Sequence, residues 1–197
     1  MSANSTLGTP TVDRLVRAAA DAFADKGFHA TTTRDIASRA GLSPAGVYVY
    51  FLSKEDLLFH LSRTGHMLAH RIVQDAVAAS PRPPEQLAAV MSRFARWHAE
   101  HYQLARVVQY EFPHLTAEHR ASVLALRKRI DSSVRAVLED GVQTGDFTVD
   151  DVPDTALALL SMIVDVARWY SPSISRTPAD IGRTYAALGL RLVASSG

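Results

Sequence analysis

The sequence predicts an all-α chain of nine helices, and three observations carry that reading. Apolar residues recur at helical spacing almost throughout the 197 residues. No alternating strand runs joined by Asn-Gly or Asp-Gly hairpins interrupt them. Prolines and glycines fall between the periodic segments, often beside a hydroxyl or acidic cap.

The first helix is expected over about Thr11 to Lys26, with Leu15, Val16, Ala19, Ala22 and Phe23 on one stripe and Gly27 as its stop. Thr32 and Asp35 form a capping-box pattern that opens a short second helix, which Gly41 ends. Ser43 then caps a third, with Pro44 at the first helical position and Val47, Tyr48, Tyr50 and Phe51 along it. Ser53 and Asp56 open a long fourth helix to about Ala79, and Pro81, Pro83 and Pro84 break the chain after it. A fifth helix is expected over about Glu85 to His101, and a sixth from there to Phe112. Thr116 caps a seventh to about Gln143. Asp151 and Pro153 open an eighth through Tyr170. Thr177, Pro178 and Asp180 open a ninth to about Val193.

Composition narrows the classes of function. At 47% hydrophobic and 21% charged, the chain is an ordinary globular one of one or two domains. With no cysteine it has no disulfide framework, thiol nucleophile or Cys-based metal site. The opening MSANSTLGTPT lacks the basic-then-apolar order of a signal peptide, and no window has the length and apolarity of a membrane span. The expectation is a soluble cytoplasmic protein. The net charge of +1 argues only weakly against nucleic acid, because DNA meets the charge of one face.

Residues 32–51 read as a short helix, a tight turn through Gly41-Leu42-Ser43, and a second short helix. That is the helix-turn-helix layout, whose second helix enters the major groove N-terminus first. Small residues at its leading end, Ser43, Pro44, Ala45 and Gly46, permit close approach, and the helix N-terminus favours phosphate. From Lys26 to Lys54, the four bases Lys26, Arg34, Arg39 and Lys54 face one acid, Asp35, a local balance of +3.

The stretch from Gly27 to Leu58 resembles the N-terminal domain of the TetR family of transcriptional regulators. The resemblance rests on Gly27-Phe28, Thr31-Thr32, Ile36-Ala37, Ala40-Gly41-Leu42-Ser43, Val47-Tyr48, Tyr50-Phe51, Ser53-Lys54-Glu55 and Leu57-Leu58. It implies a DNA-binding domain over 1–56 and an effector-binding and dimerisation domain over 57–197. It also implies that Thr32, Tyr48 and Lys54 contact the phosphate backbone, that Ser43, Pro44, Ala45 and Tyr50 face the groove, and that Arg34 reaches a phosphate or the groove edge. Gly46 departs from the hydroxyl or Ala often found there, so one backbone contact is in doubt. On residue type alone, Tyr48 and Tyr50 read equally as core aromatics, and Arg39 as a solvated helix residue. Phe28, Ile36, Val47 and Phe51 read as core.

Beyond residue 57 no nucleophile motif, phosphate-binding glycine loop or paired-carboxylate pattern appears, so no enzyme is expected. The resemblance implies a homodimer through the helices at about 151–170 and 178–194, bound to a palindromic DNA operator. In that picture a small-molecule effector tilts the fourth helix and releases the DNA. Candidate effector residues are Trp97, Tyr102, Arg106, Tyr110, Arg168, Trp169 and Tyr170, each equally readable as core or surface packing. The segments Asp165–Pro172 and Arg176–Val193 are similar to regulators of fatty-acid or steroid catabolism that respond to acyl-CoA thioesters. On that reading Arg106 or Arg168 takes the phosphates. A drug-like efflux substrate is the rival effector; a helical enzyme or an interaction module with a fortuitous helix-turn-helix is the rival class. His66 and His70, or His98 and His101 with Glu100 and His114, have metal-like spacing, but no third ligand completes either set. No metal or other cofactor is expected.

Overall fold

The computed structural model describes residues 10–194, and nine α-helices run through them. They are α1 (Pro10–Ala30), α2 (Thr33–Arg39), α3 (Pro44–Tyr48), α4 (Lys54–Val77), α5 (Pro83–Glu100), α6 (Tyr102–Tyr110), α7 (Ala117–Thr144), α8 (Val152–Trp169) and α9 (Pro178–Val193). A single 3-10 turn, Phe112–His114, links α6 to α7. No strand occurs among the described residues, and none of their helices is long and apolar enough to cross a membrane. Most of the stretch read for a leader lies outside them, as do residues 195–197.

The caps fall where the sequence puts them. Thr32 and Asp35 form a full capping box, Ser43 accepts from the Gly46 amide, and Ser53 accepts from the Asp56 amide. Thr116, Asp151 and Thr177 cap α7, α8 and α9 in the same way. Gly27 takes φ 74 and ψ 168, a left-handed region that side chains disfavour, so the regular part of α1 stops there and Phe28–Ala30 form a separate turn. The third helix is shorter than expected. The Tyr50 and Phe51 amides both bond the Val47 carbonyl, each at 3.0 Å, which closes the helix early and leaves both residues beyond it.

Two hydrophobic cores form. The head core gathers Leu15, Phe23, Phe28, Ile36, Val47 and Phe51 with Leu57, Leu58 and Leu61 of α4, and it recruits Val107, Leu115 and Val123 from beyond residue 100. The body core runs from Ala69, Val73 and Ala76 of α4 through Met91, Phe94, Val134, Leu138, Leu159, Ile163 and Ile181. Helix α4 therefore serves both cores, and α7 does too, from Val123 in one to Ile130 in the other. In the body α5 is central, with α4, α7, α8 and α9 packed on it. Helix α9 lies close against α5 because it presents glycines there. A Cβ at Gly182 would stand 2.8 Å from the Ser92 carbonyl oxygen, and one at Gly189 2.7 Å from Met91 Cγ.

Candidate nucleic-acid interface and ligand cavity

The leading end of α3 projects outward. Ser43, Pro44 and Ala45 are exposed, and Tyr48 and Tyr50 are 53% and 43% exposed, which excludes the core reading of both rings. Beside them Val49 and Leu52 are 75% and 84% exposed, two apolar side chains that sequence reasoning did not single out. Exposed apolar groups of this size on one small face mark a contact surface. Val47, directly before Tyr48 in sequence, is fully buried and anchors α3. Thr32 is exposed at the N-terminus of α2, its hydroxyl 2.7 Å from Asp35 Oδ2. Bonds from Thr32 and Lys26 hold the Asp35 carboxyl down to about 2.

The local charge is smaller than the sequence count suggests. Lys26 pairs with Asp35 at 3.1 Å, and Arg39 with Asp25 at 2.6 Å. Asp25 lies one residue outside the stretch over which +3 was counted. Lys54 is committed as well. Its ammonium donates to the carbonyls of Phe28 at 2.6 Å, Thr31 at 2.9 Å and His29 at 3.3 Å, and sits 4.4 Å from the centre of the Phe28 ring. It thus ties α4 to the end of α1. Thr31, fully buried, closes the same end by donating to Ala22 and Gly27 carbonyls. Arg34 is exposed and has no acidic partner among the described residues.

The body encloses a cavity of about 750 Å³ among α4, α5, α6, α7 and α8. Its wall is mostly apolar (Ala69, Phe94, Val108, Ile130, Leu160 and Val164), with His66, His98, Gln109, Arg127, Lys128, Asp131 and Asp165 set into it. Its α7–α8 side carries exposed Lys128, Leu157 and Ser161. Burial pushes the His66 and His98 imidazoles down to about 4, so both are neutral near pH 7. Each Nδ1 faces the carbonyl four residues back, Ser62 at 2.7 Å and Phe94 at 2.9 Å, so each Nδ1 carries the proton and donates.

Of the effector residues expected from sequence, only Trp97 lines this cavity. Arg106 instead clamps the C-terminus of α8, donating to the carbonyls of Ala167 at 2.6 Å and of Arg168 and Tyr170 at 3.0 Å each. Tyr102 and Tyr170 pack against each other at that corner, with Trp169 alongside. Tyr110 is exposed, and Arg168 forms an exposed two-bond pair with Asp165. Sequence reasoning missed Arg127, Gln109 and Lys128, which have no motif around them. It weighed His66 and His98 as metal ligands, but the Nδ1 atoms of both are bonded to carbonyls and His66 Nε2 accepts from Arg127. Glu55, Asp56 and His119 bring ligand-type atoms within 4.8 Å of one another. There the Glu55 carboxylate already accepts from the Thr116 amide at 2.8 Å and from His119 at 2.9 Å.

Comparison with known proteins fits this layout. Residues 15–61 match the bacterial regulatory proteins of the tetR family, and residues 80–193 match the tetracyclin repressor-like C-terminal domain. The HTH-type transcriptional repressor KstR2 of Mycobacterium tuberculosis is 30% identical over 186 residues, covering 93% of this chain and 92% of that one. The solved structure of that ketosteroid transcriptional regulator superposes with a TM-score of 0.87 over 96% of this chain and 98% of its own, at 26% identity. A tetR-family regulatory protein from Rhodococcus RHA1 reaches a TM-score of 0.90 at 34% identity, over 96% of this chain and all of its own. The fatty acid metabolism regulator protein of Bacillus subtilis is 27% identical over 140 residues, 70% of this chain and 71% of that one. The chain belongs to the TetR family of bacterial regulators and is a DNA-binding transcriptional regulator.

Proposed function

We propose that the chain is a homodimeric repressor that leaves a palindromic operator when an amphipathic acyl compound, such as an acyl-CoA thioester, enters the body. One observation carries this reading: an exposed tyrosine-bearing helix tip and a large apolar cavity are joined by α4, which follows that tip in the chain and belongs to both cores. On this reading 1–56 is the reading domain and 57–197 the sensing and dimerisation domain. Ser43, Pro44, Ala45 and Tyr50 face the groove, and Thr32, Arg34 and Tyr48 lie on phosphate. Lys54 acts mainly by holding α1, since its donors already sit on carbonyls. With few side chains able to make bidentate base contacts, specificity leans on thymine methyls, DNA shape and the exposed Val49 and Leu52.

A dimer follows from the groove geometry, which needs two reading heads a helical turn or more apart. Leu157 of α8, with Leu188 and Leu192 of α9, offers exposed apolar surface for the partner. The likeness to a ketosteroid regulator and a fatty acid regulator supports an apolar acyl ligand. The same reading makes the chain a cytoplasmic binding protein and not an enzyme. The ligand must favour the released state over the bound one, or it shifts nothing. The experiment is footprinting on the DNA beside its own gene. We expect a protected inverted repeat, lost on adding an acyl-CoA. Absence of protection at modest salt contradicts the reading.

A further inference from the structure

Two of the polar groups of the cavity stand where the two cores meet. Along α4 the head core ends at Leu61 and the body core begins at Ala69; between them stand Gly65 and His66. Along α7 the head core ends at Val123 and the body core begins at Ile130; between them stands Arg127. His66 and Arg127 therefore line the cavity at the seam of the two cores, while Lys128, Asp131, Ser161 and Asp165 line its α7–α8 side.

Arg127 occupies that seam in an unusual state. No carboxylate among the described residues pairs with it, and burial lowers its pKa without making it neutral. Its Nε donates to His66 Nε2 at 3.0 Å, a bond that exists because the His66 proton is committed to the Ser62 carbonyl. Its guanidinium carbon stands 4.3 Å from the centre of the Phe112 ring. The bond at Nε fixes the fork's orientation, while neither Nη group has a hydrogen-bond partner among the described residues. A half-buried, unpaired guanidinium beside an apolar cavity is the arrangement that recognises an oxygen acceptor on an apolar body.

Phe112 leads on to the head. It packs against the head core, and it opens the 3-10 turn whose last residue, His114, stacks on Phe28 at 5.1 Å. Phe28 is the ring beneath the Lys54 ammonium. One guanidinium thus touches both the ligand cavity and the first residue of a contact chain that ends where α1 and α4 are tied.

We propose that Arg127 is the ligand-sensing residue: the acyl oxygen of a bound ligand, carboxylate or thioester carbonyl, takes its guanidinium and draws it off Phe112. This deepens the function proposed above and rests on it. Ligand affinity then belongs to Arg127, and transmission to the head belongs to Phe112.

The test uses full-length protein, decanoyl-CoA and decanoate as probes, and a duplex selected by the protein from random sequence. Probe binding is read from the fluorescence of Trp97 on the cavity wall and needs no DNA. Arg127→Gln should weaken the bound probe about 10–100-fold while duplex affinity and melting temperature hold. Arg127→Lys, which keeps the charge, should recover part of that loss. Phe112→Leu should bind probe within about threefold of the parent and yet stay on the duplex when probe saturates. If Arg127→Gln binds as the parent does, or Phe112→Leu is released as the parent is, the inference is overturned. Binding of decanoyl-CoA alone assigns the oxygen to a thioester; binding of decanoate alone assigns it to a free acid. A parent that binds duplex but neither probe overturns the inference while leaving the DNA reading intact. Failure to select any duplex overturns the proposed function instead, and the fluorescence arm still decides Arg127.

Discussion

The head and the body use polar side chains in opposite ways. In the head, polar groups close the backbone: Thr31 and Lys54 take the loose carbonyls at the end of α1, and Thr32, Ser43 and Ser53 take the loose amides of the next three helices. The apolar side chains left over, Tyr48, Val49, Tyr50 and Leu52, are presented to the outside. In the body, polar groups are buried beside empty space. His66, His98 and Arg127 line the cavity, none of them paired with a carboxylate, and Trp97 Nε1 and Gln109 Oε1 are buried without a partner among the described residues. In the head these bonds close the helix ends. On the proposed function, the cavity of the body is where the ligand enters. A wall facing a void lacks contacts on one side and opens more easily than a packed core.

Acid should separate the two regions most strongly. His66 and His98 have folded pKa values of about 4, below the 6.5 of the unfolded chain. Between those values the unfolded state binds more protons, so stability rises with pH through that window and falls on acidification. Each imidazole costs on the order of 3 kcal/mol by pH 4. In the head, Asp35 works at lower pH. Its stabilisation is present above its unfolded value and is lost only as pH falls through about 2. His60, half-buried at the base of α4, is displaced in the same direction as the body histidines. Urea midpoints at pH 7 and pH 4.5 should differ sharply, and His98→Leu should flatten the difference.

Next in size is damage to the packed head. Phe23→Ala empties the middle of that small core and should cost about 3–5 kcal/mol, with loss of DNA binding before loss of the body's helicity in a thermal scan. Lys54→Met follows, at about 1.5–3 kcal/mol, because three carbonyls lose a charged donor. Were Lys54 only a phosphate ligand, stability would hold and just the salt dependence of DNA binding would fall. The smallest effect has the opposite sign. Val164→Phe fills the cavity and should stabilise the body by about 0.5–2 kcal/mol while abolishing the ligand response. Destabilisation there would mean that the cavity cannot accept bulk.

Local chemistry made most of the fold legible from sequence. A hydroxyl that bonds the amide three residues ahead is encoded within four letters, so Thr32, Ser43, Ser53, Thr116 and Thr177 announced their helices. Gly27 and Gly41, read as helix stops, both take a positive φ. Of the candidate site, the exposed tip of α3 and the place of Trp97 on the cavity wall agree with the reading from sequence. Lys54 reaches carbonyls at separations of 23–26 residues and Arg106 at 61–64, and no local pattern foretells either. Arg127 was hidden for the same reason. Its importance lies in a partner 61 residues away and in the absence of an acid, and neither is written near it. The +3 count failed because Asp25 sits one residue beyond the stretch counted, yet bonds Arg39 across the head.

On the proposed function, the tip of α3 reads DNA without contributing to the fold. Anisotropy titration of a self-selected duplex with the parent chain and with Tyr48→Ala plus Tyr50→Ala decides this. Both rings are exposed, so the doubly substituted chain should melt within about 0.5 kcal/mol of the parent and lose at least tenfold in duplex affinity. Unchanged affinity at unchanged stability would contradict it.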